Sequence, residues 1–143
     1  MANISARNCF SGVVGKVETG PVNARVELTL AGGDRIVAIV THESVEALAL
    51  VPGMAAMAFV KASWVLLLAG SEKIRFSARN HLPGMVASVE KGAVNSDVAV
   101  RLTGGSVVHA IVTNGAVLEL GLKPGVPASV LFKASHVILG VPA

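Results

Sequence analysis

The sequence predicts an all-β protein with one short helix per repeat, built as a tandem pair of small five-stranded barrels. Three observations carry that expectation. The phrase Ser5-Ala6-Arg7-Asn8 recurs as Ser77-Ala78-Arg79-Asn80, and Lys61-Ala62-Ser63 recurs as Lys133-Ala134-Ser135, both displaced by 77 − 5 = 72 positions. From Ser77 to Leu139 the second copy tracks the first without insertion or deletion, and about 30 of some 63 aligned positions are identical. Within each copy, short β-branched runs are separated by Gly- and Pro-containing turns, and one segment alone carries a helix-starting pattern. The domains are set at residues 1–70 and 71–143, joined through Ser71-Glu72-Lys73-Ile74-Arg75-Phe76.

The elements of the first copy follow in order. Phe10 to Glu18 is a strand, and Thr19-Gly20-Pro21 is the turn that ends it. Val22, Ala24, Val26, Leu28 and Leu30 then alternate with Asn23, Arg25, Glu27 and Thr29, the period of a half-buried second strand. Ala31-Gly32-Gly33-Asp34 makes a hairpin loop into Arg35–Val40, a run apolar enough to be buried on both faces. Thr41 offers a capping hydroxyl, Glu43 an acidic first turn, and Val45 with Leu48 an apolar stripe, so a helix spans Thr41 to Leu48 and stops at Pro52-Gly53. Met54 to Val60 is a fourth strand, and Trp64 to Leu68 a fifth. Strand, strand, strand, helix, strand, strand is the order of an oligonucleotide/oligosaccharide-binding (OB-like) barrel, an architectural parallel that assigns no function.

Composition narrows the function classes. Hydrophobic residues make up 52% of the 143 positions and charged ones 15%, more apolar surface than two units of this size can bury alone, so an oligomer is expected. A net charge of +3 suits an anion of almost any size. With no Tyr and one Trp there is little for bases to stack on, so nucleic acid is not expected. Ala47 to Val60 is the longest apolar stretch; it is broken by Pro52-Gly53 and is too short to span a bilayer, so no membrane role is expected. No secretion signal is evident, and a soluble cytoplasmic protein is expected.

The polar phrases are the candidate site. Turn and core requirements explain most shared positions, such as Gly32-Gly33/Gly104-Gly105 and Pro52-Gly53/Pro124-Gly125, but not Arg7/Arg79, Asn8/Asn80 or Lys61/Lys133. A surface Arg or an edge-guarding Lys would be the ordinary explanation of either phrase alone; their recurrence in a second copy favours a site. Thr41 and Thr113 are helix caps first, although a helix start also attracts anions. His42, His81, His109 and His136 lack counterparts and metal-ligand spacing, so no metal is expected. The single cysteine, Cys9, has His81 as its counterpart in the second copy, so no intramolecular disulfide is expected. With no base shared by both copies and no phosphate loop, no catalytic residue is expected and the protein is read as a non-enzyme. Nearly all the shared polar groups are donors, which points to a small, fully ionised oxyanion without a proton to give.

At Ser-Ala-Arg-Asn opening each copy, Val-Thr before the helix, Leu-Xaa-Pro-Gly after it and Lys-Ala-Ser at the last strands, the chain resembles the molbindins, the molybdenum-pterin-binding protein family, and in particular its two-copy members. The resemblance implies a cytoplasmic binder of molybdate, with tungstate as a mimic, that stores or buffers the anion. It further implies OB-like modules in a hexameric ring, hence a homotrimer for a two-copy chain, and no cofactor beyond the ligand. Under it, Ser5, Ala6, Arg7, Asn8, Thr41, Ser44, Lys61, Ala62 and Ser63 contribute to anion sites, as do Ser77, Ala78, Arg79, Asn80, Thr113, Lys133, Ala134 and Ser135. Ala116 stands where Ser44 would repeat. A regulatory or interaction module acting on a partner protein is the alternative, and single-stranded nucleic-acid binding a third reading. The two phrases are expected to come together, either by folding or, the favoured route, across an interface between modules.

Overall fold

The computed structural model describes residues 3–70 and 73–143. The first copy forms β1 (Asn8–Thr19), β2 (Asn23–Leu30), β3 (Arg35–Thr41), α1 (His42–Leu48), β4 (Ala55–Val60) and β5 (Leu66–Ala69). The second forms β6 (Asn80–Lys91), β7 (Asn95–Leu102), β8 (Val107–Thr113), α2 (Asn114–Leu120), β9 (Pro127–Phe132) and β10 (Ile138–Gly140). The strand, helix and turn order is the one expected, in two curled five-stranded sheets of OB-like form. β1 is long enough to serve two neighbours: Asn8–Val13 pair with β4, and Gly12–Thr19 pair with β2 across a bulge between Val14 and Lys16. That bend lets one strand turn the corner of a barrel. At Gly12 an added Cβ would lie 2.5 Å from the Thr29 carbonyl oxygen, so only glycine permits the close approach of β1 and β2.

The helix caps match the sequence reading. Thr41 and Thr113 have extended backbones, and their side chains accept from the N–H of Ser44 and Ala116. The C-caps differ between copies: Gly121 takes the left-handed conformation at φ 63°, whereas the first copy places Ala49 there at φ 52°. A Cβ is penalised in that region, so Ala49→Gly is expected to stabilise the fold by about 0.5–1 kcal/mol. A rise in Tm by scanning calorimetry checks it, and an unchanged or lower Tm counts against the strain.

The fifth strands are exchanged between the repeats. Strand order alone leaves their pairing open: β5 pairs with β9 of the second repeat, Leu66 opposite Leu131 and Ala69 opposite Ala128. In return β10 pairs with β4 of the first, Ile138 opposite Phe59 and Gly140 opposite Met57. The sheets therefore run β10-β4-β1-β2-β3 and β5-β9-β6-β7-β8. The cause lies in the connection. Lys61-Ala62-Ser63-Trp64-Val65 contains no Gly, Asn or Asp to supply the positive φ of a tight hairpin. It instead forms a single 3-10 turn, Ala62–Trp64, with extended residues on both sides, which carries the chain across to the neighbouring sheet.

The exchange joins the two repeats through one continuous core that includes Val26, Ile36 and Val60 from the first copy and Val98, Val130 and Phe132 from the second. Three further contacts close the seam. The carboxamides of Asn8 and Asn80, each 1% exposed, reach into the opposite repeat. Asn8 Nδ2 donates to the His109 carbonyl at 2.8 Å and Asn8 Oδ1 accepts from the His109 N–H at 2.7 Å. Asn80 makes the same pair with Val37, both at 2.8 Å. At the hairpin loops, Asp34 Oδ1 accepts from the Gly104 N–H at 2.9 Å.

Candidate functional site

Strand register assembles the candidate site. Asn80 lies opposite Phe132 in the β6–β9 ladder, so the residues just before Asn80 and just after Phe132 are neighbours. Ser77-Ala78-Arg79 is thereby set beside Lys133-Ala134-Ser135. In the first repeat Asn8 lies opposite Val60, which sets Arg7 beside Lys61. The two phrases thus meet inside each repeat, by ordinary antiparallel pairing, rather than only across an interface between modules.

In the second repeat they border a cavity of about 620 Å³. Ser77, Arg79, Lys133 and Ser135 supply its polar side, joined by Ser63 from the first repeat. Ile39, Trp64, Leu66, Phe76 and Phe132 supply an apolar wall. Ser63, Trp64 and Leu66 reach this wall because their segment crosses to the second sheet, so the strand exchange completes the site. Lys133 precedes the 3-10 turn Ala134–His136 with no side-chain cap, which leaves the first amides of that turn free to donate. No carboxylate lines the cavity. The two cations, the hydroxyls and the amides on this side can all donate to an anion.

The first repeat arranges the same residue types differently. Arg7 Nη1 lies 3.6 Å from Asp97 Oδ2, and Asp97 Oδ1 lies 2.9 Å from His109 Nδ1. Lys61 Nζ sits 5.7 Å above the centre of the Trp64 ring, within cation–π range. Arg7 borders a smaller depression of about 350 Å³ with Cys9, Ser11 and His109.

Other residues singled out in the sequence lie elsewhere. Asn8 and Asn80 have both ends of their carboxamides committed to backbone of the opposite repeat. Thr41 and Ser44 share a 2.8 Å hydroxyl contact at the start of α1, and Thr113 caps α2; none of the three borders the cavity. Trp64, Phe76 and Asp97 escaped the sequence reading, and His136 is set aside there, because each differs between the copies and recurrence was the filter. Among the described residues no three His, Cys, Asp or Glu side chains gather as a metal site, and no helix is long and apolar enough to cross a membrane.

Comparison with known proteins places this geometry. The TOBE domain model matches residues 4–67 and again residues 77–139. The chain belongs to the TOBE domain family. Molybdenum-pterin-binding protein MopA of Rhodobacter capsulatus is 44% identical over 138 residues, which cover 96% of this chain and 52% of that protein. Molybdenum transport protein ModE of Herbaspirillum seropedicae is 42% identical over 137 residues, covering 96% of this chain and 51% of its own length. This TOBE chain spans about half the length of the curated relatives it matches. Among solved structures, the cytoplasmic molybdate-binding protein ModG with molybdate bound superposes with a TM-score of 0.93 at 52% identity, over 99% of this chain and 100% of that one.

Proposed function

We propose that this TOBE protein binds molybdate, with tungstate as an isosteric mimic, and stores or buffers the oxyanion in the cytoplasm. The observation that carries the reading is the convergence of Ser77, Arg79, Lys133 and Ser135 on one cavity that no carboxylate enters. Molybdate is fully ionised near neutral pH and offers only acceptors, so such a donor set matches it in charge and in hydrogen-bond polarity. Relatives named for molybdenum-pterin binding and for bound molybdate support the choice of anion. The donors serve binding, and the reading is of a carrier and not an enzyme. The two binding modules are residues 1–70 and 71–143, each holding one pair of polar phrases, although barrel closure is exchanged between them.

A homotrimer is the proposed assembly. Thr41, Ser44 and Thr113 reach an anion in this scheme from a neighbouring chain, since within one chain they stand apart from the cavity. Their surroundings support it: Val22 and Val94 are 70% exposed, and their carbonyls receive the N–H groups of His42 and Asn114 beside those threonines. Large apolar residues next to spare hydroxyls suit a subunit contact better than open water. In that assembly Ser5, Arg7 and Lys61 serve the first-copy sites, and Ser63, Ser77, Arg79, Lys133 and Ser135 the second-copy ones.

Calorimetric titration with molybdate, paired with native mass spectrometry, tests the proposal. Saturable uptake of several anions by a trimer is expected, with tungstate competing and the smaller sulfate competing weakly. No uptake at micromolar molybdate would overturn it. The matches to ModE, one of them described as a transcriptional regulator, favour a second reading as a molybdate-responsive module acting on a partner protein. Capture of a partner that changes when molybdate is added would favour that reading over storage.

A further inference from the structure

The two repeats present the same cations in opposite electrostatic states. In the first, Asp97 lies 3.6 Å from the Arg7 guanidinium, is only 15% exposed, and is fixed by His109 at 2.9 Å. The backbone of His109 in turn holds the Asn8 carboxamide, so the acid is anchored next to Ser5-Ala6-Arg7-Asn8. Lys61 is turned onto the Trp64 ring. In the second repeat both restraints are gone. The position matching Asp97 is Arg25 (97 − 72 = 25), whose guanidinium is turned to Glu27 at 2.7 Å and Glu18 at 3.5 Å. The position matching Trp64 is His136 (64 + 72 = 136). Among the described residues neither Arg79 nor Lys133 has a carboxylate within ion-pair reach, and both face the open cavity.

Asp97 is 15% exposed and is screened less than a surface acid, while its Arg7 partner, 65% exposed, stays open to an incoming anion. The acid therefore competes for that guanidinium and repels the anion as well. We propose that the pseudo-equivalent sites fill in sequence: the Arg79–Lys133 site takes oxyanion first, and the Arg7–Lys61 site only at higher concentration, with Asp97 as the residue that sets the gap. Asp97 acts as a tethered substitute anion. This inference rests on the oxyanion reading above and assigns a specificity-setting role to a residue outside the donor set.

The test is calorimetric titration of the intact protein with molybdate, for wild type, Arg79→Ala, Asp97→Asn and Arg25→Asp. Wild type is expected to show two classes of site separated by about tenfold or more in Kd. Arg79→Ala removes the tight class, and Asp97→Asn tightens the weak class by about tenfold. Arg25→Asp puts at the repeat-equivalent position the acid that Arg7 meets at Asp97, and weakens the tight class by a similar factor. Circular dichroism establishes folding; if Asp97→Asn does not fold, Arg25→Asp decides alone. A single uniform class in wild type, or an unchanged tight class in Arg25→Asp, overturns the order of filling while leaving molybdate binding intact. Absence of any molybdate binding by wild type instead overturns the oxyanion reading on which the inference rests.

Discussion

Replacing Asn80 with Ala is expected to destabilise the protein by about 2–4 kcal/mol, because it leaves the Val37 N–H and carbonyl buried with no partner. The two lost hydrogen bonds matter less than the two orphaned backbone groups, which cannot recover water in a buried seam. At this chain length that corresponds to a fall in Tm on the order of 10 °C. Asn8→Ala should cost less, since its bonds to His109 are only partly buried. Asn80→Asp keeps the acceptor but loses the donor and buries a charge beside the Val37 carbonyl, so it should be no better than Ala. Chemical denaturation measures all three. A loss under about 1 kcal/mol for Asn80→Ala would mean that the carboxamide is not what satisfies Val37.

Lys133→Ala is expected to weaken molybdate binding by about 1.5–3 kcal/mol, the range for a hydrogen bond to a charged group. That is roughly a ten- to hundredfold rise in Kd. The lysine follows β9 on a short connection, and its loss removes charge without disturbing the core. The Tm should therefore move little while affinity falls, the opposite signature to Asn80→Ala. Lys133→Arg separates charge from shape. Partial recovery by Arg would point to charge as the main need, whereas none would show that the compact ammonium is required. Unchanged affinity in Lys133→Ala, measured by the same titration, would remove Lys133 from the site.

These two variants also mark where the sequence was legible. Ser77, Arg79, Lys133 and Ser135 could be found because recurrence singles out residues that neither turns nor core packing require. The same filter swept in Asn8 and Asn80, whose recurrence has a different cause: each closes one half of a pseudo-symmetric seam. A carboxamide carries a donor and an acceptor, and sequence does not say whether backbone or ligand will meet them. The filter also passed over Trp64, His136 and Asp97, because it reads sameness and these residues matter by differing. The strand, helix and turn order was legible from alternation, caps and Gly-Pro punctuation. The destination of Leu66–Ala69 was not, since an apolar strand pairs equally well with either barrel and only the Lys61–Val65 connection, poor in turn residues, hints at a crossing.

The exchange of fifth strands also bears on how the molecule comes into being. The first barrel obtains its closing strand from Ile138–Gly140 and the second from Leu66–Ala69, so partners lie some 60 to 80 positions apart along the chain. During synthesis, β1 to β4 can pair as they emerge, yet the edge of β4 stays open until residue 140 has left the ribosome. The nascent first half therefore carries an unpaired, apolar sheet edge for as long as the second half takes to be made. A ribosome that stalls inside the second copy would release an incomplete barrel with a sticky edge. The cost of a seam that joins the two halves is a window, during every round of translation, in which the half-built chain exposes that edge.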